Sequence, residues 1–230
     1  MLKLESVKKV YCKHQDEVVA LDTTTIEIAR GEFAAIIGPS GSGKTTLLSM
    51  LGAMSAPSEG RILLDDVSIY DLPIEQRAEV RQNKIGFVFQ TFNLVPYLTA
   101  IENVQVPMML SQKFRTEQQE RAEELLGTVG LQDRLHHKPS ELSVGQQQRV
   151  ALARMLANDP LIILADEPTG NLDPETRDQV LAFLRQFNEE GRTIIMVTHD
   201  LSAAECARRT LRLSEGRIQA GSDQNLLKTA

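Results

Sequence analysis

The chain has 230 residues, 42% hydrophobic and 24% charged, which bounds it to one large domain or two small ones with a sizeable core. Its formal net charge of −6 gives no electrostatic case for DNA or RNA, whose binders usually carry a basic excess. Cys12 and Cys206 are too few for a disulfide framework and lack metal-ligand spacing, which fits a reducing cytoplasm. The N-terminal Met1-Leu2-Lys3-Leu4-Glu5 lacks the apolar core of a signal peptide. No apolar run approaches the roughly 18 residues needed to cross a bilayer, so a membrane role would come through a partner.

Residues 2–10 and 18–28 alternate in part and are rich in β-branched side chains, which predicts antiparallel strands joined by a polar loop around Lys13–Glu17. Tyr11 stands near the end of the first. An exposed ring there can stack on a base, and packing on its neighbours is an equal reading of the local sequence. After Arg30-Gly31-Glu32 comes Phe33–Ile37, a short apolar run that reads as a buried strand. Then follow Gly38-Pro39-Ser40-Gly41-Ser42-Gly43-Lys44-Thr45-Thr46 and a helical run beginning Leu47-Leu48. Gly38, four residues, then Gly43-Lys44-Thr45 is the phosphate-loop pattern in its required strand–loop–helix context. The glycines let backbone N–H groups converge on an anion, and the helix adds the positive end of its dipole. Lys44 reaches the β- and γ-phosphates, and the Thr45 hydroxyl can ligate Mg²⁺. This loop binds a nucleoside triphosphate.

Pro57-Ser58-Glu59-Gly60 is a turn, Arg61–Leu64 a strand, and residues 72–82 a polar helix; Ile85–Phe89 is a buried strand ending at Gln90. Residues 91–140 hold no convincing strand but two capping boxes, Thr99-x-x-Glu102 and Thr116-x-x-Gln119. The second is predicted to open a helix with Ala122, Leu125, Leu126 and Val129 on its apolar face, ending near Gly127 and Gly130. Leu142-Ser143-Val144-Gly145-Gln146 leads into a helical run over 146–157. Ser143 and Gln146 form a capping box, but glycine is a poor helix former in a first turn. Gly145 permits close approach to the helix amides, which suits a phosphate arriving from outside. Leu161–Ala165 is a buried strand ending in Asp166-Glu167. Asp173 is a good N-cap before Pro174, opening a helix that buries Val180, Leu181, Leu184 and Phe187 and stops at Gly191. Thr193–Val197 is another central strand, ending in Thr198-His199-Asp200. Short strands near 209–213 and 217–219 precede a polar tail over 221–230. Buried strands alternating with helices predict an α/β fold with a mainly parallel sheet, whose chemistry collects at the carboxyl ends of the strands. There, Asp166 can hold Mg²⁺, Glu167 can deprotonate a water, His199 can contact a γ-phosphate, and Gln90 can bind metal or water.

With these residues in place, the chain resembles the nucleotide-binding subunit of an ABC transporter, from about residue 2 to 220. Walker A is Gly38–Thr45, the Q-loop residue Gln90, the signature Leu142–Gln146, Walker B Leu161–Asp166, the D-loop Asn171–Asp173 and the switch histidine His199. Gly86–Gln90, Phe92-Asn93-Leu94, Leu98-Thr99-Ala100, Glu102-Asn103-Val104 and Ala165–Asp173 resemble the branch of lipoprotein-releasing, macrolide-export and cell-division ATPases. The resemblance implies a P-loop NTPase fold of the ABC ATPase type. Its single domain over 1–230 would have an antiparallel β subdomain about 2–30, a RecA-like core about 31–90 and 158–220, and a helical subdomain about 91–157. It implies ATP and Mg²⁺ as cofactors, with Thr45, Gln90 and Asp166 at the metal and Tyr11 on adenine. It further implies a head-to-tail dimer in which Ser143, Val144, Gly145 and Gln146 of one copy close the site begun by Lys44 of the other; Asp173 is the D-loop aspartate. A separately encoded permease would dock near residues 91–110 and hold the protein at the inner face of the cell membrane. The cell-division branch offers an alternative in which ATP drives a signal and no cargo. The signature commonly has glycine where Val144 stands, and this position is expected to be permissive, because the phosphate contacts are attributed to Ser143 and Gly145.

Overall fold

The structure, a computed structural model, describes residues 1–13, 16–110 and 114–223. Strand-forming residues at the start give β1 (Leu2–Lys13) and β2 (Asp16–Ile28), paired antiparallel. The predicted loop is thereby shorter than Lys13–Glu17, with only 14–15 outside the described residues. Next come β3 (Phe33–Ile37), α1 (Lys44–Leu51), β4 (Glu59–Leu64), β5 (Val67–Ser68), α2 (Ile74–Lys84) and β6 (Ile85–Phe89). The helical stretch holds α3 (Ala100–Gln105), α4 (Arg115–Thr128) and α5 (Val144–Met155). The chain then runs through β7 (Ile162–Asp166), α6 (Pro174–Glu189), β8 (Thr193–Thr198), α7 (Leu201–Ala204), β9 (Arg209–Ser214) and β10 (Arg217–Asp223).

These strands form two sheets. One has the order β2-β1-β4-β5 and is antiparallel; the other has the order β10-β9-β3-β8-β7-β6 and is parallel from β9 through β6. Two expected boundaries move. Residues 59–68 leave the range 31–90 for the antiparallel sheet, because Leu2 and Leu4 of β1 pair with Leu64 and Ile62. The first three residues of the range 221–230 complete β10, where Asp223 pairs with Arg209; the remainder lies outside the described residues.

Alternation along the parallel strands divides the core in two. Phe33 and Ala35, Ile163 and Ala165, Ile194 and Met196 pack with the helices α3 to α6 on one face. Ala34 and Ile36, Ile162 and Leu164, Ile195 and Val197 pack on the other face with α1 and the antiparallel sheet. Successive side chains of a strand point to opposite faces, so a sheet buried on both sides reads as an unbroken apolar run.

The first capping box is as predicted. Thr99 N–H and hydroxyl each donate to Glu102 Oε2 at 2.8 Å, which holds that carboxyl below its ordinary range. The second is not formed as predicted. Helix α4 starts at Arg115 with Phe114 as its N-cap, whose N–H donates to Glu117 at 2.8 Å. Gln119 cannot reach back to Thr116, because its side chain is bonded to Gln105 and Glu123. The predicted apolar face is buried, and Gly130 ends the helix at φ +70°.

Asn103 is wholly buried and knits the turn before α3 to the helix. Its Nδ2 donates to the carbonyls of Val95, Leu98 and Thr99, and its Oδ1 accepts from Val95 N–H at 2.8 Å. Deleting the amide strands buried backbone groups. Asn103→Ala is expected to lower the free energy of unfolding by about 2–3 kcal/mol, measured by urea denaturation.

Candidate nucleotide site

The loop Gly38–Gly43 leaves β3 and passes between the two sheets. A Cβ on Gly43 would stand 2.2 Å from the Ala20 carbonyl oxygen of β2, and one on Gly38 would stand 2.1 Å from that of Leu213 on β9. Gly43 also has φ +103°. These glycines therefore serve backbone contacts behind the loop as well as any anion in front of it. Lys44, largely buried at the start of α1, donates to the carbonyls of Gly38 at 2.8 Å and Pro39 at 3.0 Å.

Parallel register delivers the other groups to the same edge. Ile37 pairs with Thr198, Val197 with Asp166, and Asp166 with Phe89, so Gln90, Asp166-Glu167 and Thr198-His199 leave their strands beside the loop. A cavity of ≈ 340 Å³ is lined by Ser40, Gly41, Lys44, Thr45, Gln90, Asp166, Glu167 and His199. The Thr45 hydroxyl donates to Asp166 Oδ2 at 3.1 Å. Burial pushes the Asp166 carboxyl above its ordinary range, and the Thr45 hydrogen bond works against it. Glu167 lies 3.9 Å from Lys44 Nζ, and its Oε1 is 2.9 Å from His199 Nδ1. Its backbone sits at φ +46°, a left-handed conformation uncommon for glutamate, held by an N–H bond to the Val197 carbonyl at 2.9 Å.

No cluster of three or more His, Cys, Asp or Glu suited to a metal occurs among the described residues. Thr45 and Asp166, hydrogen-bonded on a cavity that Gln90 also lines, instead offer a sparse set of hard oxygens. That suits Mg²⁺, which takes one or two protein ligands and completes its shell with water and phosphate.

Other predicted residues are placed elsewhere. Tyr11 is exposed on β1, with Lys9 Nζ 5.0 Å from its ring centroid. Its partner Val18 precedes by two residues Ala20, where Gly43 meets β2, so the ring stands roughly 7 Å along the strand from the loop. Ser143, Val144, Gly145 and Gln146 do not line the cavity. Ser143 caps α5 through Gln146 N–H, and Gln146 returns a bond to Ser143 N–H at 2.9 Å. Val144 is half exposed. Asp173 caps α6 and also accepts from the Thr176 hydroxyl at 2.6 Å, which holds its carboxyl below the usual range.

Gly145 has a reason within its own chain. A Cβ there would lie 2.7 Å from Thr176 Cγ2. Sequence reasoning saw only the ligand-facing use of this glycine, because no spacing rule announces a contact with a helix thirty residues on. It also gave no role to Arg154, whose guanidinium donates to the Phe92 and Asn93 carbonyls, or to Thr198, which hydrogen-bonds Glu167.

The phosphate loop between β3 and α1, with acidic residues at the end of β7, defines a P-loop nucleoside triphosphatase. A model of the ABC transporter family matches residues 21–170. The chain is 48% identical to an uncharacterized ABC transporter ATP-binding protein of Thermotoga maritima, covering 95% of this chain and 94% of that one. It is 45% identical to a macrolide export ATP-binding/permease protein MacB of Syntrophobacter fumaroxidans, over 96% of this chain but 32% of that longer one. Among solved structures, a dimeric post-hydrolysis state of the ATP-binding cassette MJ0796 bound to ADP and phosphate superposes with a TM-score of 0.88 at 42% identity, covering 96% of this chain and 98% of that one. A further relative of that name, from Methanocaldococcus jannaschii, is 45% identical over 95% of each chain. The chain belongs to the ABC transporter family.

The Thr176 rotamer is locked by Asp173, so it cannot yield to a methyl at position 145. Alanine gains about 1 kcal/mol of helix propensity over glycine, against about 1–3 kcal/mol for overpacking. Gly145→Ala is therefore expected to lower the melting temperature of the nucleotide-free protein. Adding Thr176→Ser, which removes the clashing methyl, is expected to recover most of the loss.

Proposed function

We propose that this chain is the ATP-binding and ATP-hydrolysing subunit of an ABC transporter, a single ATPase domain that dimerises head to tail on two ATP molecules and drives a separately encoded membrane permease. The observation that carries the composite site is the separation of its parts. The cavity has the loop, Gln90, Asp166, Glu167 and His199, while the exposed Ser143 at the start of α5 does not line it. A helix N-terminus is suited to an anion, and a second copy can bring it over the first copy's ATP.

In this reading Gly38–Thr46 and Lys44 cradle the phosphates, Tyr11 meets the adenine, and Thr45, Asp166 and Gln90 attend Mg²⁺. Mg²⁺ neutralises charge on the phosphates when bound. Glu167 takes the proton of the attacking water, and His199 orients Glu167 and meets the γ-phosphate. Val144 replaces a glycine without removing Ser143 or the Gly145 amide.

The permease has a candidate seat. A cavity of ≈ 520 Å³ shares none of the first cavity's lining; among its residues are Arg81, Phe87, Phe89, Val106, Leu110 and Met155. Leu110 and the nearby Met109 and Tyr97 are exposed apolar side chains. No helix among the described residues is long and apolar enough to cross a membrane. In this reading the permease holds the chain at the inner face of the cell membrane. The MacB relatives, which carry ATPase and permease in one chain, support transport over the signalling alternative.

Glu167→Gln is expected to lower steady-state turnover by about 100-fold or more while retaining ATP and accumulating the dimer on gel filtration. Turnover near that of the parent protein would remove Glu167 from its role. Ser143→Arg is expected to leave ATP binding to the isolated chain intact and suppress turnover, and normal turnover would sink the two-chain site.

A further inference from the structure

Thr198 closes β8 with its side chain wholly buried, yet its hydroxyl works at the edge of the nucleotide cavity. It accepts from the Asp200 backbone N–H at 3.0 Å and donates to Glu167 Oε2 at 3.0 Å. A hydroxyl has a single proton. Acceptance from Asp200 leaves that proton for the carboxylate. The same Oε2 also receives the His199 backbone N–H at 3.3 Å. Oε1, by contrast, faces the His199 ring at 2.9 Å and Lys44 Nζ at 3.9 Å. The two oxygens are therefore unequal: Oε2 is tied to the end of β8, and Oε1 is paired with the side chains of His199 and Lys44, which line the same cavity as Glu167.

We propose that Thr198 is a positioning residue for ATP hydrolysis, whose hydroxyl anchors Glu167 Oε2 so that Oε1 is presented to the attacking water. The inference rests on Glu167 being the general base. In that step the water oxygen bonds to the γ-phosphorus and its proton passes to Oε1, while the bond to the β–γ bridging oxygen breaks and ADP leaves. Thr198 touches none of the reacting atoms. It acts by restricting a carboxylate that already hangs from a left-handed backbone position, where a displacement of about 1 Å is enough to cost 100-fold in rate.

The test is steady-state ATP hydrolysis by the full chain with ATP and Mg²⁺. Thr198→Val keeps the shape and removes the hydroxyl; it is expected to lower kcat by about tenfold or more, with KM for ATP within about twofold. Thr198→Ser is expected to restore kcat to within about threefold, since it keeps the proton that matters. If Thr198→Val does not fold, Thr198→Cys makes the same comparison with a weak donor of similar size. In a Glu167→Ala background, Thr198→Val is expected to change the residual turnover by less than about twofold, because the group it acts through is gone. A Thr198→Val kcat near that of the parent, or an equal loss in both backgrounds, overturns the proposal. Glu167→Ala with parental turnover would instead overturn the general base itself, so the two failures are told apart.

Discussion

Parallel strands β3, β8, β7 and β6 pair without a slip, and every chemical group of the site depends on that register. Residues that follow strand ends in such a sheet emerge along one edge. A slip of one residue would turn Asp166 from the cavity toward a core face. The apolar alternation prevents it, because each strand places its residues into two different cores, and a slip would exchange them all. Tight packing on both faces is thus what holds Thr45 within hydrogen-bonding distance of Asp166, and Thr198 of Glu167.

The edge so formed is polar and partly buried, a combination that must be hydrogen-bonded to be tolerated. Lys44 meets that demand with the Gly38 and Pro39 carbonyls, and Glu167 with Thr198 and His199. Asp166 is less well served; burial raises it, and among the described residues Thr45 gives its side chain a hydrogen bond at 3.1 Å. In the proposed function, a divalent cation held there would supply positive charge beside that carboxyl. The loop is likewise fixed from behind by Ala20 and Leu213, so the antiparallel sheet and β9 back a phosphate-loop cavity to which they give no lining side chain.

Much of this was legible from the residues alone. Glycine spacing before Lys44, acidic residues after Ile162–Ala165, and Asp173-Pro174 each have a local cause, and local causes leave patterns. Helix α4 was misread at its start because Thr116-x-x-Gln119 and Phe114-x-x-Glu117 are both local options, and a distant partner, Gln105, decided between them. The transfer of 59–68 to the antiparallel sheet was likewise decided by pairing with β1. Gly145 against Thr176, and Thr198 beneath Glu167, join residues 31 apart in sequence. Such contacts have no fixed spacing, so no pattern records them.

Arg154 gives the fold a way to join its two working surfaces. Phe92 and Asn93 both have positive φ, a pair of strained positions just after Gln90. The Arg154 guanidinium, desolvated and lowered by its burial, takes both of their carbonyls, with Nη1 2.6 Å from that of Asn93. Arg154 is in the last turn of α5, and Ser143 caps the first. Asn93 and Arg154 also line the larger cavity proposed to seat the permease. A partner pressing on that cavity therefore contacts the rigid helix that carries the signature and the strained stretch beside Gln90 at once. The helix spans about 18 Å, so a small tilt at the Arg154 end displaces Ser143 by an amount comparable to the tolerance of a catalytic contact. The proposed permease seat and the Ser143 end of α5 are thus joined by a single helix, which Arg154 ties to the stretch after Gln90.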